Sequence, residues 1–286
     1  MDSRDILAHV KKMNPISEPL TETQSVMTIA QRALGAPWRL GLAHARAQHM
    51  LIWVTRGAGR SVVEGQAAAL GAHNALFVPA GTLFSFTWES SCFGQTVSLP
   101  PSPRLDWPDA PVLLRVREPK AQLTLTHYID AIQNEATSNE PMAQIAASAH
   151  AQLMMVWAHR YQRQAPTENA ARRLMRAFCA LLVQSQSTSK GGANMADYAS
   201  KLGVTPTHLT RVCKSESGMT AADLITQHTL QRACRMLEDE GMKAIDISKR
   251  LNFSTPAYFT RFIKTHTGQT PSAIRSDAMA SRKAAA

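Results

Sequence analysis

The spacing of hydrophobic and polar positions changes twice along this 286-residue chain. Between about residues 36 and 100, short apolar runs alternate with turn signals such as Gly57-Ala-Gly59 and Pro79-Ala-Gly81. Short runs spaced roughly 8–12 residues apart are typical of the strands of a small barrel or sandwich. We therefore predict strands at 37–43, 49–55, 60–64, 74–78 and 82–88.

The pattern changes to a helical one at about residue 120. From there to residue 185 proline is nearly absent and helix-forming residues dominate. Apolar residues within 174–182 fall at i, i+4, i+7 and i+8, which places them on one face of a helix. Two earlier helices are predicted near 121–136 and 142–162.

A polar stretch at 185–193 interrupts this helical pattern and has the composition of a flexible linker. A chain of 286 residues is also at the size where one core usually gives way to two. The sequence therefore predicts two domains, at 1–187 and 188–286.

The last third of the chain repeats itself at an offset of 50 residues. Segment 208–218 aligns with segment 258–268, and apolar positions at i, i+3 and i+4 predict a helix with one buried face in each. Thr, Arg and Lys fall on the opposite, exposed face. The positions identical between the two segments are Thr210/Thr260, Arg211/Arg261, Lys214/Lys264 and Gly218/Gly268.

Each of these two helices follows a shorter amphipathic stretch. The short stretches end at Gly203 and Asn252, residue types that can take the left-handed conformation that closes a helix. Thr205-Pro206 and Thr255-Pro256 then supply an N-cap and a proline suited to the first helical turn. The pattern predicts two helix-turn-helix units.

A further helix is predicted between the two units, at 221–237. At about 1.5 Å per residue, it would span about 26 Å. With its flanking turns, it could hold two recognition helices one DNA turn, about 34 Å, apart. We therefore expect one chain to read two successive major grooves of double-stranded DNA.

Composition fits this interpretation. The chain is 44% hydrophobic and 18% charged, which excludes a disordered protein, and its 31 Lys and Arg exceed its 21 Asp and Glu. Such a basic balance favours a polyanionic partner. No apolar run approaches the roughly 20 residues that span a membrane, the first residues do not match a secretory signal, and the four cysteines are far apart. We therefore expect a cytoplasmic protein with no membrane partner.

The C-terminal segment, about 190–276, resembles the DNA-binding domain of the AraC/XylS family of bacterial transcription regulators. The resemblance rests on Ile245-x-Ile-Ser-x-x-x-Asn-Phe-Ser, Ala257-Tyr-Phe-Thr-Arg-Phe-x-Lys264 and Gly268-x-Thr-Pro-x-x-x-Arg275. Asn252 replaces the family's usual Gly and Ile263 its usual Phe, and both keep the physical role.

The N-terminal strands resemble the cupin-like sensor barrel that often precedes this DNA-binding domain. The two resemblances together imply an α+β protein. Its N-terminal part would be a small cupin-like β-barrel with dimerisation helices. Its C-terminal part would be an all-α domain in which a long helix joins two helix-turn-helix units.

Arg211 and Arg261 are the candidates for bidentate contacts with guanine edges. A solvated helix face would also carry such residues, but their identical phase in both repeats favours DNA contact. Residues near the helix N-termini would reach bases, and the later lysines would reach phosphates. The predicted DNA-binding residues are Thr207, Thr210, Arg211, Lys214, Ala257, Thr260, Arg261 and Lys264.

In the N-terminal domain, His49 and Trp53 share one face of a predicted strand and are the candidate effector-binding residues. A core tryptophan and a surface histidine fit the same pattern. His44, His49 and His73 are scattered, and Phe84 stands where a metal-binding cupin would carry His. We therefore expect no metal, no cofactor and no catalytic residue.

The sequence is thus interpreted as a sequence-specific transcription regulator that binds a small-molecule effector and forms a homodimer through the helices between 121 and 185. Because most relatives are activators, the resemblance implies activation and contact with RNA polymerase. Two alternatives stay open. One is a regulator controlled by a protein partner or by no effector, and the other is a metal-dependent cupin enzyme fused to a DNA-binding module.

Overall fold

The computed structural model describes residues 24–33, 36–162, 169–185, 195–238 and 242–285. Among these residues, strands and short helices come first, and the regular elements after residue 118 are helices, so the predicted α+β class is confirmed. The proposed linker lies outside the described residues except for Ser185, and the domain boundary at 187/188 therefore stays a prediction.

The N-terminal part forms two antiparallel sheets. A five-stranded sheet has the order β1-β7-β2-β5-β8, and a three-stranded sheet has the order β4-β3-β6. The strands are β1 Ser25–Thr28, β2 His49–Arg56, β3 Gly59–Val63, β4 Gln66–Leu70, β5 Asn74–Val78, β6 Phe84–Trp88, β7 Phe93–Leu99 and β8 Val112–Arg115.

Strand β2 is buried on both faces because it lies in the middle layer of three. Met50 and Ile52 pack between the two sheets, in a core that includes Phe86. Leu51 and Trp53 point the other way, into a core shared with two long helices. The near-continuous apolar run of this strand follows from burial on both sides.

The helices of this part of the chain are α1 Ile29–Ala33, α2 Trp38–Gly41, α3 Pro119–Thr137, α4 Ala143–Tyr161 and α5 Ala170–Gln184. Helices α3 and α4 pack against each other and cover the outer face of the five-stranded sheet. The predictions of helices near 121–136 and 142–162 are confirmed to within two residues.

The predicted strand at 37–43 is wrong, since the segment contains helix α2 instead. Gly41 N–H donates to Pro37 O at 2.9 Å, as in a helical turn. Trp38 and Leu42, four residues apart, both pack against the C-terminal core, whereas Leu40 turns into the core between the sheets. A run this short fits both the helical and the strand period, and only its neighbours decide between them.

The C-terminal part contains six helices within the described residues, arranged around one central helix. They are α6 Met195–Lys201, α7 Pro206–Ser217, α8 Ala221–Glu238, α9 Ala244–Arg250, α10 Pro256–Thr267 and α11 Pro271–Ala285. Helix α8 contacts all five others. The predicted helix at 221–237 is confirmed to within one residue.

Helix α5 packs on the first helix-turn-helix unit rather than on the outer helices. Phe178 is fully buried and makes an edge-to-face contact with Tyr198 of α6, with ring centroids 5.5 Å apart. Leu174 and Leu182 lie in the same core as Leu209 of α7. The apolar face of α5 is therefore already covered within the chain, and α5 is not available for the dimerisation role expected of the helices between 121 and 185.

The segment after α2 also docks on α8. Ala43 N–H donates to Gln227 Oε1 at 3.3 Å, and the Ala43 carbonyl lies 3.3 Å from Nδ1 of buried His228. One turn before Ala43, the Arg39 guanidinium pairs with Glu238 at 2.6 Å, with both side chains less than a fifth exposed. The segment around α2 thus contacts α8 at its middle and at its last residue.

Burial is the main cause that lowers the pKa of His228, to about 3, and the nearby Arg232 lowers it further. Since an unfolded histidine titrates near 6.5, the unfolded chain binds more protons between these two values, and acid destabilises the fold. His228 alone should cost about 2 kcal/mol of unfolding free energy between pH 7.5 and pH 5. His228→Gln should remove about this much of the loss of unfolding free energy between pH 7.5 and pH 5. Urea unfolding at the two pH values measures that loss.

The matched control is His127→Gln, which replaces an exposed histidine on α3. It should retain the wild-type loss of stability in acid. Equal pH dependence in wild type and His228→Gln would show that the His228 contact does not persist in solution.

Candidate nucleic-acid interface

The turns of the two helix-turn-helix units have the same hydrogen bonds. Val204 N–H donates to Ala199 O at 3.0 Å, and Phe253 N–H donates to Ser248 O at 2.9 Å. The residue before each donor is left-handed, with a φ of 67° at Gly203 and 58° at Asn252. Asn252 therefore adopts the left-handed conformation that the sequence predicts. Asparagine tolerates this conformation better than most residues with a side chain.

The following helices, α7 and α10, begin and end alike. Thr205 Oγ1 accepts from the backbone N–H of His208, and Thr255 Oγ1 accepts from that of Tyr258, so both predicted N-caps are confirmed. A proline occupies the first helical position of each helix. Both end at a left-handed glycine. The shared caps give the two helices the same length and the same rotational phase.

That phase divides each helix into a buried and an exposed face. Leu209 and Cys213 are fully buried in α7, as are Phe259 and Ile263 in α10. The exposed face of each helix carries the predicted basic residues, which are Arg211 and Lys214 in α7 and Arg261 and Lys264 in α10. The remaining predicted residues Thr207, Ala257 and Thr260 are exposed as well.

Thr210 differs from its counterpart Thr260. It is half-buried, and its hydroxyl donates to Met195 Sδ of α6 at 3.1 Å. The hydroxyl is therefore directed at the neighbouring helix, while Thr260 faces outward. The identical sequence positions are not structurally equivalent here.

Two aromatic side chains belong to the same surface but are absent from the predicted set. His208 Nδ1 lies 3.1 Å from the Arg211 guanidinium, one helical turn along α7. Its counterpart Tyr258 is 54% exposed on α10. The three-residue spacing between these aromatic positions and the arginines is the sequence signal that would have identified them.

A shallow concave surface marks the outer face of α10. It is lined by Ala257, Thr260, Arg261, Lys264 and Thr265. Four of these five residues belong to the predicted set, and Thr265 extends it by one position. The structure thus brings the predicted residues of α10 together on one basic, solvent-facing surface.

Arg275, in the last quoted motif, has a structural role. Its Nε donates to Leu237 O at 3.2 Å, and a terminal nitrogen of the guanidinium donates to Met242 O. These two carbonyls lie at the end of α8 and shortly before α9. Arg275 therefore fixes the second unit to the central helix and is directed away from the exposed face of α10.

Cys213 and Cys234 lie in the cores of the two units. Burial raises the pKa of each thiol to about 12, which keeps both protonated at neutral pH. A protonated, buried thiol packs as a small apolar group and reacts slowly. Both cysteines are free and buried.

The candidate effector residues His49 and Trp53 lie on the same face of β2, toward the outer helices. The Trp53 indole N–H donates to Thr126 Oγ1 at 3.3 Å, and Trp53 is only 1% exposed. The His49 ring stacks on Trp107 and accepts from Ala80 N–H, while burial lowers its pKa to about 4. The Trp53 indole N–H and His49 Nδ1 thus have partners inside the protein.

Among the described residues, no group of three or more His, Cys, Asp or Glu side chains could hold a metal ion. Nor do the described helices include one long and apolar enough to cross a membrane.

A family model described as a helix-turn-helix domain matches residues 198–277. The probable transcription factor PqrA of Proteus vulgaris is 30% identical over 93 residues, which cover 32% of this chain and 76% of that protein.

Among solved structures, fatty acid-bound ToxT from Vibrio cholerae aligns over 90% of this chain and 96% of its own, with 12% identity and a TM-score of 0.44. An AraC-type regulator from Chromobacterium violaceum aligns over 30% of this chain and 77% of its own, with 23% identity and a TM-score of 0.28. The match to PqrA, the helix-turn-helix family match and the two units built alike lead to one conclusion. The chain belongs to the AraC family of DNA-binding transcription regulators.

Proposed function

We propose that this regulator reads two successive major grooves of double-stranded DNA, with α7 and α10 as its recognition helices. The observation that carries the proposal is the same pair of exposed residues, Arg then Lys three positions later, on both helices. Helix α8 lies between them, and its 18 residues span about 27 Å at about 1.5 Å per residue. With its flanking turns, this length suits recognition helices one DNA turn apart.

Arg211 and Arg261 are proposed to contact base edges. Each lies near the middle of its recognition helix on the exposed face, and a guanidinium can bond both acceptors of a guanine. His208 holds the Arg211 guanidinium from one side through its 3.1 Å contact. Such a contact reduces the conformational freedom that Arg211 would lose on binding DNA.

Lys214 and Lys264 are proposed to contact phosphates. Each lies almost one turn beyond its arginine, toward the C-terminus of the helix and away from the end that usually reaches bases. An ammonium group binds phosphate as a point charge, without a fixed bonding plane. Phosphate contacts position a protein on DNA and carry no sequence information directly.

If Arg211 contacts a base and Lys214 contacts a phosphate, replacing each with alanine should have a different effect on DNA binding. Arg211→Ala should cost about 1–3 kcal/mol on a specific site and relax the preference at one base pair. Lys214→Ala should weaken specific and random DNA alike and reduce the salt dependence of binding by about one charge. Fluorescence anisotropy at several salt concentrations measures both effects.

Lys201→Ala is the matched control, since Lys201 is an exposed residue of α6 and lies outside both recognition helices. Equal losses on specific and random DNA for Arg211→Ala would contradict its assignment to a base.

The proposal extends to activation of transcription through RNA polymerase, which the family resemblance supports. Genome-wide footprinting of the tagged protein should give discrete sites. Those sites should disappear in an Arg211→Ala/Arg261→Ala variant, because both base contacts are removed. Transcripts next to the sites should fall when the gene is deleted, and a rise would indicate repression instead. Diffuse binding that survives the double substitution would contradict sequence-specific reading.

We further propose that the N-terminal part controls DNA binding in response to a small-molecule effector. The contacts of Arg39 and Ala43 with α8 support this, because they join the strand-rich part to the helix that spaces the two units. An effector shifts the position of the DNA-binding helices only if it binds one arrangement more tightly than the other.

A homodimer through α4 completes the proposal. With α5 covered, α4 carries an exposed apolar stripe, which we define as Ile145, Ala149, Leu153 and Val156. The spacing i, i+4, i+8 and i+11 keeps the stripe on one side of the helix. Ile145, Leu153 and Val156 are 60%, 49% and 44% exposed, which is unusual for adjacent apolar residues on one helix.

Leu153→Asp should convert the dimer to a monomer. The substitution places a charge in the middle of the stripe, and dimerisation would have to remove that charge from water. Sedimentation equilibrium measures the association directly. Phe93→Asp is the control, since Phe93 is equally accessible, at 57%, but lies on β7. A Leu153→Asp variant that still dimerises would exclude this face as the interface.

A further inference from the structure

The two recognition helices differ at the position three residues before the arginine. That position is His208 in α7 and Tyr258 in α10. His208 Nδ1 lies 3.1 Å from a terminal nitrogen of the Arg211 guanidinium. Among the described residues, Arg261 has no hydrogen-bond partner. The two arginines therefore occupy the same place in the repeat but have different surroundings.

The chemistry of the two groups fixes their roles in this hydrogen bond. A guanidinium carries only donors, so the His208 ring accepts at Nδ1 and carries its proton on Nε2. The bond uses one of the five N–H groups of Arg211, and a guanine edge needs two of the remaining four. His208 can therefore hold the guanidinium while Arg211 still bonds a base.

His208 is itself held at the start of α7. Its backbone N–H donates to Oγ1 of the N-cap Thr205 at 3.2 Å, and its side chain is partly buried. Thr205, His208 and Arg211 thus form a chain of contacts from the turn to the exposed guanidinium. A long side chain that is already held loses less conformational freedom when it binds.

Tyr258 does not offer Arg261 an equivalent contact. Its ring lies beside Phe253, with ring centroids 5.8 Å apart, and Phe253 stands in the turn where the first unit has Val204. The aromatic ring of Phe253 is thus a partner for Tyr258 that the first unit does not provide for His208. The only polar atom of a tyrosine side chain is also at the far end of the ring, whereas histidine has Nδ1 close to the backbone.

The recognition helices also differ in what covers them from behind. Val212 of α7 is buried in a core that includes α5, whereas its counterpart Phe262 of α10 is only partly buried. Arg60 of β3 donates to Ser217 O at the end of α7, at 3.3 Å. These contacts fix α7 against the strand-rich part, and a fixed helix holds its exposed side chains more precisely.

We propose that His208 is a positioning residue, which makes the first recognition helix discriminate between base pairs more strongly than the second. The inference rests on the proposed base contacts of Arg211 and Arg261, and it adds that the two are unequal. Immobilising one long side chain in advance is worth about fivefold in affinity. The gain applies only to a base pair that the held guanidinium fits, so it appears as discrimination.

The test uses a duplex that the full-length wild-type chain selects from a random pool, and variants of that duplex with each base pair replaced in turn. Discrimination at a base pair is the ratio of the affinities for the selected and the replaced duplex, measured by fluorescence anisotropy. His208→Leu should reduce discrimination about fivefold at the base pair that Arg211→Ala also affects, and at no other.

His208→Asn is the conservative variant, since the amide oxygen of asparagine takes nearly the place of Nδ1. It should restore most of the discrimination that His208→Leu loses. A loss spread evenly over all base pairs, or the same loss in both variants, would overturn the positioning role.

A double substitution separates positioning from a direct contact of His208 with DNA. In an Arg211→Ala background, His208→Leu should have no further effect, because no guanidinium is left to position. A further loss in that background would mean that His208 acts without Arg211, and it would overturn the proposal.

The second unit allows the reciprocal experiment. Tyr258→His places an imidazole three residues before Arg261 and should raise discrimination at its base pair by about fivefold. Tyr258→Phe adds no acceptor and should not raise it. Discrimination that stays unchanged in Tyr258→His would contradict the explanation of the difference between the units.

Arg211→Ala distinguishes failure of this inference from failure of the proposed function. If Arg211→Ala loses discrimination at one base pair and His208→Leu does not, the base contact stands and the role of His208 is wrong. If Arg211→Ala loses affinity evenly at all base pairs, the proposed base contact is wrong and the inference fails with it.

Discussion

Burial of α8 is the constraint on which the two-site DNA surface depends. The N-terminal half of this helix packs in one core with α6 and α7, through Ala221 and Leu224, and its C-terminal half packs in another with α9 and α10, through Leu230 and Leu237. Because a straight helix is stiff over 18 residues, the two recognition helices take their separation from its length and their relative rotation from its twist. A substitution that shortens or kinks α8 would therefore change the spacing of both surfaces without touching either one.

The N-terminal part of the chain also contacts α8. Arg39 pairs with its last residue, Ala43 bonds its middle, and Arg60 donates to Ser217 O just before it begins. The Arg39–Glu238 pair is mostly buried, so breaking one partner would leave an uncompensated charge in a partly desolvated place. These contacts join the strand-rich part directly to the helix that, in the proposed function, sets the spacing of the two recognition helices.

How much the sequence predicts depends on whether a contact is local. The caps at Thr205 and Thr255, the left-handed Asn252 and the buried phase of α7 and α10 all follow from residues within a few positions of one another, and all are found. The helix at Trp38–Gly41 is not predicted from the sequence, because Trp38 packs against core residues nearly 200 positions further along the chain. Even identical positions of the repeat can differ in structure. The Thr210 hydroxyl is directed at Met195, which lies outside the repeated segment.

The proposed effector response depends on how a bound molecule could influence the recognition helices. A cavity of about 530 Å³ lies between the end of β7 and the α3–α4 pair, on the outer face of the five-stranded sheet, whereas α7 and α8 contact α5, the α2 segment and the three-stranded sheet on the other side. An occupant could act through the sheet by shifting strands such as β2, whose side chains fill both cores and whose close packing resists small displacements. Changing the packing of Ile145 and Ala149 disturbs fewer contacts, because these residues already face solvent beside the cavity. In the proposed homodimer, an effector that first changes how two chains associate would alter DNA affinity through the placement of four recognition helices instead of two.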